Sequence, residues 1–147
     1  MMQASVTWKG KMAFQSQIRE HQSLLDAKQD HGGENQGPSP KALLLASIIG
    51  CTAMDVVSLM NKMRVDFNDF EVLAEADTTE DYPKVFKQVN LVYRVNGSAP
   101  DLAKIQKSVQ LSLTKYCGVS AMISKVSPIV YTITINGENV ATGQAYF

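Results

Sequence analysis

Net charge is the first thing this sequence lacks: 14 Lys and Arg balance 14 Asp and Glu. Without a basic field there is nothing to hold a nucleic-acid backbone, which argues against a nucleic-acid partner. Cysteine is scarce, at two residues in 147. There is no CxxC and no HxxxH, and His21 and His31 stand apart in loop-like segments. Sequence spacing therefore offers no metal site and no resident cofactor. Gly32-Gly33 and Gly37 lack the spacing and the following Lys-Ser/Thr of a phosphate loop. The opening residues, MMQASVTWKGKMAF, have no basic stretch followed by a long apolar run. A secretory leader is not expected, and the cytoplasm is the expected compartment. In a reduced compartment two cysteines rarely form a structural staple, so they are either buried bystanders or a functional pair. No internal repeat and no low-complexity stretch is present.

What remains is an average composition over a length that suits one domain, residues 1–147, able to bury a core without disulfides or metals. Its organising stretch is PSPKALLLASIIGCTAMDVVSLMNKMR, Pro38 to Arg64. Pro40 and Ser39 mark a helix start, with Ser39 a candidate N-cap. Leu43, Leu44, Leu45, Ile48, Ile49, Val56, Val57, Leu59 and Met60 cover most of the circumference of a helix from Lys41 to about Met63. A helix apolar nearly all round is central to a core or shared between subunits, and a homodimer is expected. Ala42 to Met60 approaches membrane-spanning length, but Ser47, Gly50, Thr52, Asp55 and Ser58 interrupt it. A charged Asp at a bilayer centre costs roughly 3 kcal/mol, so a core helix is the better reading.

The flanks read as strands. Gln3 to Trp8 alternates with Ala4, Val6 and Trp8 on one side, then Lys9-Gly10-Lys11 turns. Met12 to Ile18 and Ser23 to Ala27 complete a three-strand meander around the polar break Arg19 to Gln22. Gln29 to Pro40 is loop. Phe70 to Ala76 and Val85 to Val95 follow as strands, the latter with Val85, Lys87, Val89, Leu91, Tyr93 and Val95 on one face. Asp101 to Tyr116 reads as an amphipathic helix with Gly118 a candidate C-cap, and Val119 to Ser124 as a further helical turn. Ile129 to Ile135 is a strand, Asn136-Gly137 a hairpin turn, and Val140 to Phe147 an edge strand. The fold class is α+β, with mostly antiparallel sheet packed on a long central helix.

The chemistry rests on Cys51, inside the long helix, and Cys117, at the end of the second. Thiol chemistry needs a thiolate and therefore a nearby cation, which the middle of a helix does not supply. A second thiol traps the sulfenic acid formed when the first attacks a peroxide. Equally, Cys is among the most buried residue types, and two inert core cysteines fit the same residues. Asp55 stands at i+4 from Cys51, nearly on the same face. Its ordinary role is a polar residue paired at a helix–strand contact. Either it turns away to a Lys or Arg, or, turned towards the thiol, it raises the thiol pKa and argues against a reactive Cys51. Lys41, unfavourably placed at a helix start, is ordinarily a solvated side chain; the alternative is a partner such as Glu20 or Asp26.

Two segments carry a resemblance. PSPKALLLASIIGCTAMDVVSLM resembles the first-cysteine helix of the OsmC/Ohr family of thiol peroxidases, and LTKYCGVSAMISKV resembles its second-cysteine segment, the YhfA-like branch in particular. The resemblance covers essentially the whole chain and implies an OsmC-like fold in an intertwined homodimer. It implies that Cys51 is the peroxidatic thiol acting on an organic hydroperoxide, and that Cys117 resolves the sulfenic acid as a disulfide. Arg19, the one Arg of the N-terminal strands, would hold the thiolate. A dithiol, for example a lipoyl group, would reduce the disulfide. Family peroxidases carry a Glu just after the proline that opens the helix, whereas here Lys41 and Ala42 follow Pro40. The alternative is a non-catalytic protein of the same fold that binds an apolar ligand or partner at the dimer interface.

Overall fold

The computed structural model describes all 147 residues, Met1 to Phe147, in two compact units, residues 1–44 and 45–147. The first unit is a three-stranded antiparallel meander of β1 (Ser5–Gly10), β2 (Ala13–Ile18) and β3 (His21–Leu25). The meander is the expected one, with its first turn displaced to Lys11 and Met12 and its third strand starting earlier, at His21. Gly10 and Lys11 turn the chain at φ 112° and 46°, and Trp8 Nε1–H donates to the Lys11 carbonyl at 2.9 Å. β1 was expected to be half-buried, yet Val6 and Trp8 stay 59% and 64% exposed. β1 is an edge strand of the three-stranded sheet.

Asp26 closes the first unit. Its buried carboxylate accepts N–H bonds from Ala27, Glu34 and Gln36, at 2.7, 3.0 and 3.1 Å. These bonds fold the loop after β3 back onto the strand. A Cβ at Gly33 would lie 2.0 Å from the Ala27 carbonyl oxygen, so the backbone approach requires glycine there. The donors, Gln36 first, hold the Asp26 carboxyl below the usual carboxylate range. Its stabilising contribution is therefore present above the ordinary Asp pKa near 4 and is lost as pH falls through the lowered folded value. Asp26→Ala should speed amide exchange at Glu34 and Gln36 by roughly tenfold or more, measured by hydrogen exchange, since both N–H groups lose their acceptor. Backbone donors thus occupy Asp26, Glu20 lies beside His21, and Lys41 is a solvated side chain without an ion pair.

Helix α1 (Pro40–Lys62) starts with proline at its first position and Ala42 N–H bonded to Ser39 Oγ at 3.4 Å. Its fully buried residues are Ile48, Thr52, Val56 and Met60, one stripe at i, i+4 spacing. This stripe enters the core, with Leu45, Ile49 and Val57 packed partly buried against it. Leu44 and Met54 remain 36% and 76% exposed, so the helix is not covered all round within one chain. By length and apolarity alone it would cross a membrane, but its buried stripe packs into the hydrophobic core.

The second unit holds a four-stranded sheet in the order β4 (Asp69–Thr78), β5 (Phe86–Asn96), β6 (Ile129–Ile135), β7 (Glu138–Gln144). β4–β5 and β6–β7 are antiparallel, and β5–β6 is parallel. A parallel pair needs a crossover, and here it runs through α2 (Leu102–Leu111), a π-helical turn at Ser112–Tyr116, and α3 (Gly118–Ile123). Val89, Leu91, Tyr93 and Val95 face the core as expected, but Val85 and Lys87 do not. The register slips between Asp77 and Thr78, which pairs Thr78 with Phe86 and leaves Lys87 exposed. That bulge turns Phe86 inward in place of its neighbours. Asn136 and Gly137, at φ 50° and 85°, form the β6–β7 turn. β7 begins at Glu138, earlier than expected, and ends at Gln144.

Candidate functional site

The second unit brings Cys51 and Cys117 together. α1 carries Cys51, half-buried, beside the buried stripe that fixes the helix's rotation on the core. Cys117 is set by the π-helical turn. Its N–H bonds the Ser112 carbonyl at 2.9 Å, one residue further back than in an α-helix. The expected single helix from Asp101 to Tyr116 is therefore interrupted. Asp101 is its N-cap, accepting from the Lys104 N–H at 3.1 Å. Cys117 does not end a helix but caps the next one, and Gly118 is the first residue of α3 rather than a C-cap.

Cys117 is fully buried. Its thiol donates to Ser120 Oγ at 3.0 Å, and its sulfur accepts the Ser120 N–H at 3.4 Å. Burial, offset in part by Ser120 and reinforced by the adjacent Cys51, pushes the Cys117 thiol up to about 11. Both cysteines are free thiols. The Cys51 sulfur, the Cys117 sulfur and an Asp55 carboxylate oxygen all lie within 4.8 Å of one another.

Asp55 thus turns towards the thiols. Ser112 Oγ donates to its Oδ2 at 3.0 Å, and no Lys or Arg forms an ion pair with it. Its partner is a residue of the crossover, not of a strand. Behind this pair, Thr52 Oγ1 lies 2.8 Å from Ser112 Oγ and 2.7 Å from Tyr93 Oη. The proton order follows by elimination. Ser112 gives its proton to the carboxylate, so it accepts from Thr52, and Thr52 accepts from Tyr93. Three buried hydroxyls thus form one directed chain ending on Asp55. Burial also raises the Tyr93 phenol pKa, keeping it a donor. Sequence reasoning missed Thr52, Tyr93, Ser112 and Ser120. The available signal was polar residues at core-facing helical positions, Thr52 on the buried stripe of α1 and Ser108 and Ser112 one turn apart on the crossover.

Arg19 stands in the first unit on the β2–β3 turn, exposed, at φ 55°. Its carbonyl accepts from Gln17 Nε2 and its guanidinium has no ion pair. It is not among the groups that the second unit places around the sulfurs.

The profile of the OsmC-like protein family matches residues 33–132. The chain is 33% identical over 135 residues to Protein YhfA of Escherichia coli K12, covering 91% of this chain and 98% of that one. An OsmC-like protein from Mycoplasma pneumoniae superposes with a TM-score of 0.79 at 15% identity, covering 92% and 96% of the two chains. An organic hydroperoxide resistance protein from Elizabethkingia anophelis does so at 0.65 and 16%, covering 94% and 96%. At those identities the two structures share the fold. The match over both cysteine segments and the identity to YhfA go further, and place this chain in the OsmC-like family.

Proposed function

We propose that the protein is a cytoplasmic thiol-dependent peroxidase that reduces organic hydroperoxides, working as a homodimer. The observation that carries this reading is the pairing of a half-buried thiol with a buried one across two helices. In the proposed cycle the Cys51 thiolate attacks the distal peroxide oxygen, the O–O bond breaks, and the alkoxide leaves as alcohol after taking a proton. Cys51 is then a sulfenic acid. The Cys117 sulfur attacks the Cys51 sulfur, hydroxide leaves, and with the Cys117 proton it becomes water. Both electrons used on the peroxide come from the two thiols, and a lipoyl-type dithiol returns them by exchange. Arg19 is the proposed cation for the thiolate. The family membership and the names of structural neighbours support the chemistry, and the exposed side chains of Val6, Trp8, Met12, Leu44 and Met54 support a second copy.

Reduced protein treated with one equivalent of cumene hydroperoxide should form an intramolecular Cys51–Cys117 disulfide, identified by peptide mapping without reductant. Two thiols left intact, or oxidised only to sulfinic acid, would sink the proposal.

A second reading, a non-catalytic binder of apolar ligands, has one observation in its favour. An open cleft of about 300 Å³ in the first unit is lined by Val6, Met12, Phe14 and Leu25. On that reading the hydroperoxide leaves both thiols untouched, while a fatty-acid probe binds and is lost in Phe14→Asp.

A further inference from the structure

We infer that Cys51, Asp55 and Cys117 form a site for a thiophilic divalent cation such as Zn²⁺, open to the ion only while both thiols are reduced. No CxxC or HxxxH spacing announces it, because α1 and the crossover supply the ligands from segments 66 residues apart in number.

Geometry comes first. A four-coordinate zinc with two Cys sulfurs at about 2.3 Å and a carboxylate oxygen at about 2.0 Å places those atoms roughly 3.5–3.8 Å apart. The three ligand atoms already lie within 4.8 Å of one another, so closure takes only a small change in side-chain torsion. Three protein ligands and one open position is the pattern of a zinc that keeps a water. Asp55 also lines a cleft of about 180 Å³ with Ser58, Leu59, Lys62 and Tyr116.

The surroundings are the second observation. Around a zinc ligand set, outer groups hold the ligands in place. Here Ser112 donates to Asp55, and Thr52 and Tyr93 stand behind it in line. Ser120 gives its N–H to the Cys117 sulfur, and its hydroxyl can turn to donate once that thiol is deprotonated. The Ser112 hydroxyl and the Ser120 N–H already donate to atoms of the ligand set. Three groups of anionic type converge, and no ion pair supplies the opposite charge to Asp55. A soft dication balances all three at once, and thiolate sulfur selects zinc-like ions over magnesium or calcium.

A metal site here needs no peroxidase activity. The two readings meet in one respect: an ion on the Cys51 sulfur occupies the electron pair that would attack a peroxide.

The test titrates reduced, metal-free protein with Zn²⁺ against a chromophoric chelator, and with Co²⁺ as a spectroscopic probe. One equivalent should bind, and the cobalt form should show near-ultraviolet sulfur-to-metal bands for two thiolates with the visible bands of a tetrahedral ion. Cys51→Ser should weaken binding by about 100-fold or more and reduce the sulfur bands to one thiolate. Asp55→Asn keeps the acceptor for Ser112 and both sulfurs, and should weaken binding about tenfold or more with the two-thiolate bands intact. Binding no tighter than in the Cys51→Ser protein would overturn the site, and so would affinity unchanged by Asp55→Asn. Each variant's thermal transition is recorded first, and if Cys51→Ser is unfolded, Asp55→Asn alone decides.

Discussion

Cys51→Ser is expected to abolish hydroperoxide consumption, whereas Cys117→Ser retains one turnover and stops at a Cys51 sulfenic acid that dimedone traps. The asymmetry comes from the environments of the two sulfurs. Cys117 is fully buried and its thiol is pushed up to about 11, so at neutral pH it holds its proton and is out of reach of solvent. Cys51 is half-buried on the face of α1 and is the sulfur a peroxide can meet. Iodoacetamide at neutral pH should follow the same order, labelling Cys51 and sparing Cys117 by about 100-fold or more, since the thiolate is the nucleophile. Equal labelling of the two thiols, or a Cys117→Ser protein that turns over repeatedly with the dithiol present, would show the roles to be misassigned.

The second large effect concerns stability. Thr52→Val should destabilise the protein by about 1–3 kcal/mol, because it leaves the fully buried Tyr93 hydroxyl with no acceptor. Thr52→Ser, which keeps the hydroxyl, should lose less than half of that. The directed chain of hydroxyls makes a sharper statement. Adding Tyr93→Phe to Thr52→Val removes the orphaned donor, so the double variant should recover most of the loss. In a denaturation cycle the two changes should be non-additive by about 1 kcal/mol or more. Additivity within error would mean that Tyr93 finds another partner. Asp55→Asn belongs to the same chain, and an amide in place of the carboxylate weakens the pull that orders the three protons.

Most of the fold was legible in the sequence, and the reasons are local. The alternation in Ile129 to Ile135, the Asn136-Gly137 turn, the Pro40 helix start and the stripe through Ile48, Val56 and Met60 are all written within short windows. What was not legible depends on segments far apart. The bulge that buries Phe86 is set by pairing with Thr78, and the parallel pairing of β5 with β6 is a matter of topology. The two cysteine segments could be recognised together, since each has its own sequence context. Asp55 could not be placed from its helix alone. Whether it faced a lysine or the thiols depended on Ser112, which comes from the crossover. Ser120, which holds the Cys117 sulfur, was hidden for a different reason. By sequence Cys117 ends one helix, whereas in the fold it caps another.

The π-helical turn at Ser112–Tyr116 has a consequence for how this segment can change in length. Each helical residue rotates the chain by about 100°, so one residue more or less in the turn swings everything beyond it by that angle. Ile105, Val109 and Leu113 anchor the chain before Cys117, and Ile129 and Ile133 anchor it after. The sulfur sits between two fixed ends, at an azimuth set by the one residue that the wide turn accommodates. Substitutions at the exposed Thr114, Lys115 and Tyr116 leave that azimuth alone. A deletion of any one of them does not, and it would aim Cys117 away from Cys51 while leaving every side chain of the pair, and every strand of the sheet, in the sequence.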